Sequence, residues 1–195
     1  MTFVSNIEFH QRISTISIGR DPRDPVSNDL VFLPRTAQSR FWPFPQEKKD
    51  YDAFFSNFID LLPLELGALL YPSGGVWIDR SRWGTPYASM MTELLRPLKM
   101  NNTDHGAIHF ETAEARKLTR ILVTLVTESG TLPDATLIPI SGQHILFFDH
   151  HKALWVRFQN EASINPFVGE LTKRGIHLPT DYPDSTFKPV DWMPK

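Results

Sequence analysis

Thr136-Leu137-Ile138-Pro139-Ile140-Ser141-Gly142-Gln143-His144-Ile145-Leu146-Phe147-Phe148-Asp149-His150-His151-Lys152-Ala153-Leu154-Trp155-Val156-Arg157-Phe158-Gln159 carries three apolar runs, at 136–140, 144–148 and 154–159. Two short polar breaks, Ser141-Gly142-Gln143 and Asp149-His150-His151-Lys152, separate them, and both are rich in turn formers. A parallel crossover needs about a dozen residues or more between its strands, far more than either break supplies. The stretch is therefore expected to form an antiparallel meander. That expectation decides the fold class, because such a sheet departs from the strict β-α alternation of doubly wound folds.

Beyond the meander, Asn165-Pro166 supplies a cap and a first-turn proline for a helix that buries Phe167, Val168 and Leu171 and stops at Gly175. From Pro179 onward Pro183, Pro189 and Pro194 stand among aromatics, which predicts an extended arm. Upstream, Leu118, Ile121, Leu122, Leu125 and Val126 form the cleanest helical stripe, with Thr112 as its expected cap. Ala107-Ile108-His109-Phe110 reads as a strand. A further helix follows Thr85-Pro86, with Tyr87, Met91, Leu94, Leu95 and Leu98 on one face.

Earlier still, Ala68–Tyr71 and Val76–Asp79 flank Pro72-Ser73-Gly74-Gly75 and are expected to pair as a hairpin. Over 48–62, Tyr51, Phe54, Phe55, Phe58, Ile59 and Leu62 recur at helical spacing, and Pro63 ends the pattern. An aromatic stripe of this kind is core packing. Leu30–Leu33 is a strand candidate, Phe41-Trp42-Pro43-Phe44-Pro45 a loop, and residues 3–18 two short strands turning at His10-Gln11. The sum is an α+β fold, with about four helices on a mainly antiparallel sheet. One domain is assigned to residues 1–178 and an arm to 179–195.

The composition of the 195 residues is that of a folded globular chain, 41% hydrophobic and 22% charged. A net charge of −2 disfavours nucleic acid as a partner, since phosphate neutralisation needs a basic surface. No cysteine is present, which removes disulfides, thiolate nucleophiles and Cys-based metal sites. The first residues lack a basic segment leading into an apolar run, and no stretch reaches a membrane-spanning length, so a soluble cytoplasmic protein is expected. P-loop, Gly-x-Gly-x-x-Gly, His-Glu-x-x-His and Gly-x-Ser-x-Gly spellings are all missing, and no cofactor is assigned. His105 and His109 would sit ~13 Å apart along a strand, too far to share a metal.

Asp149-His150-His151 at the end of an apolar strand resembles the Asp-His-His element of a family of metal-dependent phosphoesterases. A carboxylate beside imidazoles is sound metal-binding chemistry, and the resemblance implies manganese there and a metal-dependent hydrolase as an alternative function. That family also needs an Asp-x-Asp element earlier in the chain, and none is assigned here. Its sheet is parallel, whereas a second apolar strand follows Lys152 at once; a hairpin tip explains Asp149–Lys152 without metal.

The segment ranked first for function is Trp77-Ile78-Asp79-Arg80-Ser81-Arg82-Trp83-Gly84, where two Trp, two Arg and an Asp share a strand-to-helix connection. Trp and Arg dominate protein–protein hot spots. Candidate partner-binding residues are therefore Trp77, Asp79, Arg80, Arg82 and Trp83, joined by Asp149, His150 and His151; no catalytic or metal-binding residue is assigned. A compact, mildly acidic, cysteine-free α+β domain is similar in type to bacterial immunity proteins that neutralise toxins. The expected function is a non-enzymatic protein-binding domain. A subunit or adaptor docking through its Pro-rich tail is a further alternative.

Overall fold

A computed structural model describes residues 1–22, 30–33, 38–72, 75–77, 85–100, 104–128, 134–149 and 152–179, with the backbone alone at 85–88 and 126–128. In chain order the elements are β1 (Thr2–Ser5), α1 (Asn6–Thr15), β2 (Ile18–Arg20), β3 (Leu30–Phe32), β4 (Ser39–Pro43), α2 (Tyr51–Ile59) and β5 (Ala68–Pro72). Then come α3 (Thr85–Leu95), β6 (Gly106–Phe110), α4 (Ala115–Glu128), β7 (Ala135–Pro139), β8 (His144–Asp149), β9 (Ala153–Phe158) and α5 (Ile164–Lys173).

The meander forms as its short breaks require. β7 pairs with β8 and β8 with β9, both antiparallel, and Gly142 takes the positive φ of 73° that its turn demands. Among the described residues the sheet has seven strands in the order β1-β6-β5-β7-β8-β9-β4, and every neighbouring pair is antiparallel. The chain is α+β, as expected.

Alternation along the strands splits the interior into two clusters, one on each face of the sheet. On one face Leu70, Ile108, Leu137, Leu146, Phe148, Leu154 and Val156 meet the stripes of α2, α3, α4 and α5. Phe55 sits at the centre of this contact, fully buried, with ring centroids of Phe44 and Phe148 at 5.2 and 5.4 Å. On the other face Val4, Leu69, Tyr71, Ala107, Ile138 and Ile145 pack under α1 and the β2–β3 hairpin.

Three expectations need correction. Residues 6–15 are a helix rather than a strand turning at His10: the Ser5 hydroxyl accepts the Glu8 N–H, and Phe9 and Ile13 form its buried face. Among the described residues the segment after β5 does not pair with it, and Ile78 and Asp79 of the expected partner strand lie outside them. β5 is buried along its whole length and pairs with β6 and β7, and Val76 makes only an isolated bridge to His105. Phe41-Trp42-Pro43 belongs to a strand, β4. It lies at the sheet edge, where a proline costs no ladder hydrogen bond on its open side. The arm expected at 179–195 lies, from residue 180, outside the described residues.

The start of α4 is also capped differently from the expectation. Thr112 donates its hydroxyl to the Leu64 carbonyl, and Glu111 and Glu114 form a capping box instead, in which the Glu114 carboxylate accepts the Glu111 N–H at 3.2 Å and also the Met1 amine. Burial pushes the Glu114 carboxyl up, but these hydrogen bonds, with Lys117 nearby, hold it below the usual carboxylate range. Replacing Glu114 by Ala should lower stability by about 1–2 kcal/mol, read as an earlier urea midpoint. An unchanged midpoint would remove this cap from the stabilising contacts.

Candidate functional site

The segments singled out from the sequence leave the sheet at the same end. Pro72 faces Ala135, Ala135 faces Phe148, Asp149 faces Ala153 and Ala153 faces Pro43, so β5, β7, β8, β9 and β4 all terminate on one line. Gly106 of β6, opposite Ser5 of β1, belongs to the same line. Trp77 is fastened there: its indole N–H donates to the Gly106 carbonyl at 2.9 Å. Asp149, on β8, is three strand spacings from β6, about 14 Å.

Trp77 is only 1% exposed and belongs to the helix-side core. It therefore holds the start of its segment in place from within. Asp79, Arg80, Arg82 and Trp83 lie outside the described residues, as do His150 and His151. Asp149 is described and buried, accepting the Trp155 indole N–H at 3.3 Å. Its carbonyl accepts the Lys152 N–H at 3.0 Å, and Lys152 has a positive φ of 62°, the geometry of a tight hairpin loop. Phe44 donates its N–H to the Lys152 carbonyl at 2.9 Å, fixing that hairpin against the chain leaving β4.

One row of side chains on the face shared with α1 runs across the sheet beside this end. Tyr71 faces Thr136, Thr136 faces Phe147, Phe147 faces Trp155 and Trp155 faces Phe41. Phe41 and Trp155 touch at 4.8 Å between centroids, and the Arg157 guanidinium lies 5.0 Å over the Phe147 ring. Arg157 also donates to the Leu30 carbonyl, which ties β9 to β3. At the α1 end of the row, Tyr71 stacks on Phe9 at 4.1 Å and hydrogen-bonds the Asn6 side chain at 3.0 Å. Burial, reinforced by the positive charge of Arg20, holds the His10 imidazole below its ordinary value; burial raises the Tyr71 phenol while Arg20 opposes the rise. Single-residue inspection missed this row, because its members are far apart in sequence and meet only through strand register.

The metal chemistry suggested by Asp-His-His gains no ligand set among the described residues. One Asp-x-Asp does occur, Asp50-Tyr51-Asp52, inside the aromatic stripe of α2. Tyr51 is buried, and the two aspartates are exposed at the head of that helix rather than at a strand end. Carboxylates in that position complement the helix dipole, which accounts for them structurally. No helix among the described residues is long and apolar enough to cross a membrane. Compared with protein-family models, curated proteins and solved structures, the chain matches none.

Proposed function

We propose that this chain is a protein-binding domain of the toxin-neutralising, or immunity, kind. Its binding surface lies at the sheet end from which the Trp77–Gly84 and Asp149–Lys152 segments emerge. The observation supporting this reading is their common exit. Trp77 is anchored on Gly106 of β6, and Asp149 closes β8, within the span of one ordinary interface patch. A rigid sheet carrying adjacent connections is a scaffold on which loop residues can present anchors. Arg82 and Trp83 are the anchors assigned to it, and the mildly acidic charge of the chain suits a basic partner.

The test uses the full chain, titrated by calorimetry against the product of the reading frame beside its own gene. Arg82→Ala and Trp83→Ala should each weaken binding by about 2 kcal/mol, roughly thirtyfold, with the thermal midpoint unchanged. No binding, or undiminished affinity in both variants, would overturn the proposal.

A further inference from the structure

His144 opens β8 at the opposite end of the sheet from Asp149 and faces the helix-side core. It is 6% exposed, between the ring of Phe158 at 5.3 Å and the ring of Phe167 of α5 at 5.1 Å. Among the described residues neither imidazole nitrogen has a hydrogen-bond partner, and neither has the indole N–H of Trp42, which touches the same Phe167 ring. Two polar rings thus share one aromatic nest beneath α5, and no described side chain or backbone group pairs with their nitrogens. Buried groups of this kind are rare, and a charge placed on one is strongly disfavoured.

The charged groups of the surrounding elements have other contacts. Arg157 of β9 meets Leu30 and Phe147, and Arg40 of β4 donates to the Ser39 carbonyl. On α5, Glu170 pairs with Lys173 at exposed positions, and Arg174 just beyond reaches the Asn57 carbonyl of α2 and Asp60 just after that helix. Glu161, before α5, and His177, after it, are exposed. Burial alone accounts for the His144 imidazole being held down to about 4.

We propose that His144 makes the docking of α5 acid-labile: α5 sits on a neutral imidazole at neutral pH and lifts from the sheet when that imidazole takes a proton. Of the two rings that flank His144, Phe158 belongs to the sheet and Phe167 to α5, so lifting α5 uncovers the imidazole without breaking a strand. Above pH ~6.5 both states are neutral and docking does not depend on pH. As pH falls below that value the open state binds a proton that the docked state refuses, so docking weakens. The dependence levels off near the docked value of about 4, where both states carry the proton.

Amide hydrogen exchange on the full chain tests this, corrected for intrinsic rates. From pH 7.5 to pH 5 the opening of α5 should rise about thirtyfold while the sheet amides keep their protection, and His144→Phe should flatten the dependence. His177→Gln should leave it intact. Should His144→Phe not fold, His144→Leu replaces it, and the imidazole titration of the unaltered chain decides independently. An imidazole that titrates near 6.5 with α5 still docked would overturn the proposal. So would α5 protection that ignores pH, an unchanged dependence in the His144 variant, or sheet and α5 opening together.

Discussion

Replacing Trp77 by Ala should lower the unfolding free energy by about 3–5 kcal/mol. The indole is 1% exposed, and its N–H is matched by the Gly106 carbonyl at 2.9 Å. Truncation therefore removes a large apolar body from the helix-side core and strands a buried carbonyl. For a chain of this length the thermal midpoint should fall by about 6–20 °C. Trp77→Phe keeps most of the volume and loses the hydrogen bond, so it should fall between the two. If Trp77→Ala unfolds at the midpoint of the unaltered protein, the indole is not the anchor described, and the position of the whole segment has to be reconsidered.

Phe55→Ala should cost a similar amount, about 3–5 kcal/mol, for a different reason. Phe55 makes near-perpendicular ring contacts with Phe44 and Phe148, at interplanar angles of 86° and 75°, and so joins α2 to the loop after β4 and to the central sheet. Edge-to-face pairs add to plain area burial, and the surrounding rings cannot collapse into the space without giving up that geometry. Ile7→Ala is the matched control: at 75% exposure on α1 it should change stability by no more than about 0.5 kcal/mol. Equal urea midpoints for the Phe55 and Ile7 variants would contradict the assignment of the core.

The local patterns of the chain translated well where one element alone carried the signal. Tyr51, Phe54, Phe55, Phe58, Ile59 and Leu62 all lie buried on one face, and so do Leu118, Ile121, Leu122 and Leu125. The meander followed from break lengths, because chain reach admits few other pairings. Residues 6–15 show a weaker kind of legibility. Ile13, Ile16 and Ile18 suggest alternation, yet Ser5-x-x-Glu8 before Phe9 and Ile13 is a helix-start spelling, reinforced by the Glu8–Arg12 pair at 2.6 Å.

Long-range pairing was the least legible part. Val76 follows β5 closely through turn-forming residues, but β5 is apolar on both faces and takes β6 and β7 as neighbours, which no local turn signal records. The candidate site shares that limit. Its residue types stood out in sequence, whereas the common exit of its two segments exists only through the register of β6, β5, β7 and β8. The Tyr71–Thr136–Phe147–Trp155–Phe41 row arises in the same way.

Hydrogen-exchange footprinting of the full chain with its partner bound is the most direct test of that sheet end as the binding surface. Protection is expected over 75–84 and 147–154 together, with the opposite end, around Ser141–Gln143 and Gln159, unchanged. A footprint centred on that opposite end, or on the exposed face of α5, would contradict it.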